Sequence, residues 1–210
     1  MIVHIELGVL MVPEIIFKYS GLYASAIFNN AFMYSREFVE NVTKNSNDAI
    51  PIYTGFWKPH GNRILEALSE ITGIEWREKT IVAYVLDQCR GYSSPLTIRA
   101  GLNEKDFLYT MVHELTHRIF DQKEGSTDNY NKWLNERYPN VDRLVRNHII
   151  VHAVDTALYL KLFAKEELEE QRRLDETKRF GEPYVKAWKI VDKEGYENII
   201  STVNGRNAKN

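Results

Sequence analysis

The sequence predicts an α+β fold, mostly helical, with a small β-sheet packed on one well-defined helix. Two short runs, Thr80–Leu86 and residues 95–100, are rich in β-branched and aromatic residues, as strands are. The segment that follows, from Asn103 to residue 120 or 121, opens with a capping side chain and an acidic first turn. Its apolar residues recur at helical spacing and form one stripe: Leu108, Met111, Val112, Leu115 and Ile119.

Helical spacing recurs in four other stretches. The first covers residues 19–42, and we expect it to end in a polar cluster, Asn45, Ser46, Asn47 and Asp48. The second covers residues 61–72. A polar connection over 121–140, with a short helix around Trp133, leads to a helix from about Asn140 to about Phe163. Residues 165–179 are almost all charged, with spacings typical of i,i+4 pairs on a solvated helix.

The composition limits the classes of protein to which this chain can belong. The 210 residues are 44% hydrophobic and 27% charged, with no repeat or linker, which predicts a single domain over residues 1–210. A net charge of −2 gives no general attraction to nucleic acid or to an anionic membrane. Cys89 is the single cysteine, so no intramolecular disulfide forms, and we expect a cytoplasmic protein. Residues 1–16 lack the basic start of a signal peptide, which favours a strand or buried segment.

Residues 113–117 read His-Glu-Leu-Thr-His within the predicted helix. Residues four apart lie one turn apart on the same face of a helix, so the His113 and His117 side chains can reach one metal ion. Two neutral imidazoles suit zinc, and Glu114 lies beside them, where it can deprotonate a water molecule. The motif therefore predicts a zinc site with a general base.

A second histidine pair, His148 and His152, also has i,i+4 spacing on a predicted helix. These two residues and Asp155 share one stripe with apolar neighbours, where polar side chains are costly unless they find partners. A metal ion shared with the first helix would supply that partner. We expect His148, or else His152, to be the third ligand of one zinc ion per chain, and the other residue or Asp155 to orient a ligating imidazole.

The segment around His-Glu-Leu-Thr-His resembles the active-site helix of the zincin metallopeptidases. Two strands, this helix and a later helix with a third ligand are similar to the gluzincin branch, in particular the compact minigluzincins. The resemblance implies zinc bound by His113 and His117, with Glu114 as general base, in a cleft between an upper part (residues 1–117) and a lower helical part (118–210). Gluzincins have a glutamate as third ligand, whereas this chain has His148 and His152.

The resemblance also implies a peptide or protein substrate, held by strand addition along Thr80–Leu86 or residues 95–100. Tyr109 or Tyr130 would donate a hydrogen bond to the developing oxyanion. Two alternatives remain open: a non-catalytic domain in which four histidines close the shell of a structural ion, and a binding protein in which the motif is accidental. The presence of Glu114 favours hydrolysis, because a closed site has no use for it.

Overall fold

The structure is a computed structural model that describes residues 11–28, 34–122, 126–177 and 181–207. Side chains are described at these positions except 126–131, 176–177 and 205–207. For residues 1–10, the expectation of a strand or buried segment lies outside the described residues. In chain order the elements are β1 (Glu14–Lys18), α1 (Gly21–Ile27), α2 (Arg36–Trp57), α3 (Gly61–Thr72), β2 (Thr80–Leu86), β3 (Tyr92–Ser93), β4 (Leu96–Arg99), α4 (Glu104–Asp121), α5 (Ser126–Arg137), α6 (Arg143–Leu162), α7 (Lys165–Thr177), α8 (Gly181–Glu194) and α9 (Tyr196–Asn207).

The predicted α+β class is confirmed, with a four-stranded mixed sheet in the order β1-β2-β4-β3. Strands β1, β2 and β4 are parallel, and β3 runs antiparallel to β4. Both β2 and β4 therefore have a neighbour on each side. Strand addition along β2 or β4 needs a free edge on one of them, and that expectation was wrong, because β2 lies between β1 and β4 and the short strand β3 pairs with the other side of β4. The pairing of strands depends on long-range contacts that composition does not specify.

The first long helix was predicted wrongly. Instead of one helix over residues 19–42, the chain forms α1 and, starting at Arg36, α2, which continues through the polar cluster that was expected to end it. The polar side chains are accommodated by residues of the turn after β2. Ser46 is buried and its Oγ accepts from the backbone N–H of Asp87 at 2.9 Å, while Asn45 Nδ2 donates to Asp87 Oδ2 at 2.8 Å. Partnered in this way, the cluster does not interrupt the helix.

Local signals account for the elements that were predicted well. Helix α3 ends at residue 72 because Gly73 takes the left-handed conformation with φ of 64°. Helix α4 starts after Asn103, whose Oδ1 accepts from the backbone N–H of Asp106 at 3.0 Å. All five residues of its predicted apolar stripe are buried. Helix α6 starts a little later than expected, because Asp142 caps it through the backbone N–H of Leu144 at 2.8 Å.

Two central helices hold the candidate site. Helix α4 packs on β3, β4 and α2, and Arg118 ties it to the sheet edge by donating to Ser93 O at 2.8 Å. Helix α6 packs on α3, α4, α8 and α9. Helix α7 carries the predicted charge run, but its inner face is buried at Leu168, Gln171 and Asp175. Among the described helices, none has the length and apolar character needed to cross a bilayer.

Candidate metal centre

Helices α4 and α6 bring three imidazoles together. His113 and His117, one turn apart on α4, have ring centroids 5.1 Å apart. His148 of α6 lies against both, with its ring 5.3 Å from that of His113 and 5.1 Å from that of His117. One nitrogen from each of the three residues lies within 4.8 Å of the others. Three imidazole donors at this separation form a group that could hold a metal ion.

A backbone carbonyl fixes the tautomer of the His148 ring so that Nε2 is free for a metal ion. His148 Nδ1 lies 2.7 Å from Leu144 O, which can only accept, so Nδ1 carries the proton and Nε2 has a free lone pair. His113 Nδ1 lies 3.3 Å from Oδ2 of the buried Asp155. A carboxylate or carbonyl behind a ligating imidazole is the usual arrangement around protein-bound metals.

Burial keeps the imidazoles neutral, as metal ligands must be. Desolvation lowers the pKa of His113 and of His148 to about 4. The pKa of His117 is lowered well below its usual value, first by burial and then by the neighbouring histidines. Near neutral pH these rings therefore have lone pairs available without first losing a proton.

His152 lies in a different group from the one that contains His117 and His148. Its donor atom lies within 4.8 Å of those of His113 and Asp155, so the two groups share His113. The His152 ring is fully buried and stacks on Trp188 with centroids 4.1 Å apart. Its Nδ1 is 3.9 Å from Asp155 Oδ2, and neither ring nitrogen has a hydrogen-bond partner among the described residues.

Glu114 lies beside the three imidazoles at the surface of a cleft of about 700 Å³. Burial raises the pKa of its carboxyl to about 8, helped by the negative charge of Asp155 and opposed by Arg90. The carboxyl packs against Gly91, where a Cβ would lie 2.6 Å from Glu114 Oε1. Glycine at this position thus lets the loop before β3 approach the carboxyl.

The cleft brings together the sheet edge, α4, α6 and α8. The expected ligands His113, His117 and His148 line it, as does Glu114, whereas His152 lies behind them. Tyr109, an expected oxyanion donor, instead donates its hydroxyl hydrogen to Asp175 Oδ2 at 2.6 Å. The side chain of Tyr130, the other candidate, lies outside the described residues. His60 does not line the cleft, and its Nε2 lies 3.8 Å from Glu104 Oε1.

Sequence reasoning missed two aromatic residues of α8. The ring of Tyr184 lies in the cleft with its centroid 4.2 Å from that of His148, and Trp188 stacks on His152. Trp188 Nε1 and Tyr109 OH both donate to Asp175, which links α8 to α4 through α7. No motif marked these residues, because their roles depend on how α8 packs on α6.

Together the fold and the site define an α+β chain with buried His/Asp groups that could hold a metal ion. Comparison of the chain with family models, curated proteins and solved structures found no match. Function is therefore inferred from the geometry of this site.

Proposed function

We propose that this chain is a zinc-dependent hydrolase of the zincin type that cleaves peptide bonds, with His113, His117 and His148 as zinc ligands and Glu114 as general base. The observation that carries the proposal is the group of three imidazoles, within 4.8 Å of one another, lining an open cleft beside Glu114. A catalytic zinc site has three protein ligands and one open position, which this arrangement provides.

The donor set fits zinc in both chemistry and protonation. Three neutral imidazoles suit a borderline-soft cation, and the Nδ1 contacts of His113 and His148 direct Nε2 away from their partners. When bound, zinc would polarise a carbonyl group and make water more acidic. Asp155 would hold the ring of His113 in place, as a carboxylate behind a metal ligand does.

Glu114 would accept the proton of the attacking water and pass it to the leaving amine. Glu114 lines the cleft beside the three imidazoles, which is the position that a general base acting on a metal-bound water requires. Both Tyr109 and Tyr184 line the cleft, and Tyr184 replaces Tyr109 as the proposed donor to the oxyanion, because the Tyr184 ring packs 4.2 Å from that of His148 whereas the Tyr109 hydroxyl donates to Asp175.

The sheet edge supports a peptide as the substrate. Tyr92 and Ser93 of β3 line the cleft, and β3 pairs with β4 on one side only among the described strands. An extended peptide can add to such an edge through backbone hydrogen bonds. We therefore propose strand addition on β3 instead of on β2 or β4.

A closed four-histidine structural site is the alternative. In such a site the nitrogens of His152 would lie beside those of His117 and His148. In the structure, His152 belongs to a second group with His113 and Asp155, and this group shares only His113 with the three-imidazole group. The open site therefore has more support. Zinc content distinguishes them, since replacing His152 removes a ligand only from the closed site.

The test is turnover by Glu114→Gln. Zinc content per chain and cleavage of a mixed peptide library, followed by mass spectrometry, are measured for the wild type, Glu114→Gln and a control, Glu66→Gln. Glu66 is exposed on α3, away from the cleft. We expect one zinc per chain in all three proteins and a loss of at least a hundredfold in turnover for Glu114→Gln alone. An active Glu114→Gln protein, or a wild type without zinc, would overturn the proposal.

A further inference from the structure

We propose that the cleft binds a substrate carboxylate through arginine side chains on its two walls, so that the preferred substrates are peptides with an acidic group near the scissile bond. This inference depends on the proposed function and adds the class of substrate. Three arginines line the cleft: Arg90, Arg99 and Arg143.

On the sheet side, Arg90 precedes Gly91, the residue that contacts the Glu114 carboxyl. The guanidinium carbon of Arg90 lies 5.0 Å from the centroid of the Tyr92 ring, an arrangement that holds a cation over an aromatic face. Arg99, at the end of β4, lines the same wall. Positive charge therefore lies close to the proposed general base.

On the opposite wall, Arg143 and Asn147 lie one turn apart at the start of α6 and both line the cleft. Leu144, the next residue after Arg143, holds the ring of His148 through its carbonyl. Arg143 precedes His148, a proposed zinc ligand, by five residues, which is about 7.5 Å along the helix axis. Asn147 adds a side-chain amide that can donate to an anion bound by Arg143.

The acidic residues of the cleft do not neutralise Arg99 and Arg143. Three acidic residues line the cleft. Asp175 accepts hydrogen bonds from Tyr109 and Trp188, Glu114 is the proposed base, and Asp121 lies at the end of α4. Arg99 and Arg143 form no ion pair with any residue that the structure describes. Bound zinc would add further positive charge. Guanidinium groups bind carboxylates with two parallel hydrogen bonds, so an anionic substrate group fits this cleft.

The experiment uses four zinc-loaded proteins and two peptide pairs built on one sequence that the library test shows to be cleaved. One pair differs only in Glu against Gln beside the scissile bond, and the other only in a free against an amidated C-terminus. The proteins are the wild type, Arg99→Ala, Arg143→Ala and the control Arg63→Ala, which removes an exposed arginine from α3, outside the cleft. Thermal unfolding checks that each variant is folded.

We expect the wild type and Arg63→Ala to prefer the acidic member of at least one pair by about tenfold to a hundredfold in kcat/KM. The pair that shows the preference identifies the carboxylate as a side chain or a C-terminus. Arg143→Ala or Arg99→Ala should reduce the ratio to about threefold or less, and salt should lower it in the wild type. Equal cleavage within both pairs, or an unchanged ratio in both arginine variants, would overturn the inference and leave the proposed hydrolase intact. If no library peptide is cleaved, the proposed function fails and this inference fails with it.

Discussion

Nδ1 of His113 lies 3.3 Å from Oδ2 of Asp155, and both side chains are buried. This contact joins α4 to α6 at the back of the three-imidazole group. Asp155 Oδ1 also lies 3.4 Å from the hydroxyl of Thr116, so the carboxyl is held from two positions on α4. The orientation of His113 therefore depends on a residue of another helix.

Asp155→Asn should weaken zinc binding by about tenfold to a hundredfold, because an amide orients the His113 ring less strongly than a carboxylate. Competition with a chromophoric chelator measures the affinity. Asp48→Asn, a substitution of an exposed residue of α2 paired with Lys44, serves as the control and should bind zinc as the wild type does. Unchanged affinity in Asp155→Asn would mean that the carboxyl has no part in positioning the ligand.

Removal of zinc should lower the thermal stability, since the ion would join α4 to α6. At free zinc a thousandfold above the dissociation constant, binding contributes about 4 kcal/mol to the free energy of unfolding. Differential scanning calorimetry with and without chelator measures the shift in Tm. His148→Ala should show little response to the chelator, and a wild type that gives the same Tm with and without chelator would contradict zinc binding.

Gly91→Ala should reduce turnover with little loss of stability. The added Cβ would lie 2.6 Å from Glu114 Oε1 and 3.1 Å from Thr110 Cγ2, so the flexible carboxyl end must move. A displacement of about 1 Å at a catalytic group can cost about a hundredfold in rate. Gly55→Ala is the matched control, because nothing lies within 4 Å of the added Cβ there. Full activity of Gly91→Ala would show that the observed position of Glu114 is not the working one.

Cys89 should react slowly with iodoacetamide although it lines the cleft. Burial raises the pKa of its thiol to about 12, and the thiol donates to Leu86 O. Compared with a thiol of the ordinary pKa of 9.0, the fraction of Cys89 present as thiolate at pH 8 is about a thousandfold smaller. The alkylation rate should therefore rise about tenfold per pH unit up to about pH 11. Mass spectrometry of native and denatured protein gives the two rates. Equal rates at pH 8 would refute the raised pKa.

Elements with strong local signals could be predicted from the sequence. The bounds of α3 and β2 agree with the expected ones, because a left-handed glycine ends the helix and a β-branched run forms the strand. Helix α2 was missed because Asp87, distant in sequence, satisfies the polar side chains of Asn45 and Ser46. No local pattern reports such a partner, so the polar cluster resembled a helix end.

The same division holds at the candidate site. The sequence by itself determined that His113 and His117 share one face of a helix and that Glu114 follows His113 directly, because i,i+4 geometry on a helix is a local property. Only the tertiary structure decided that His148 lies with this pair while His152 lies behind it, that Tyr184 enters the cleft, and that β3 is an outer strand of the sheet among the described strands. These relations depend on how helices and strands pack against each other, and the side-chain contacts that determine the packing join residues far apart in the chain.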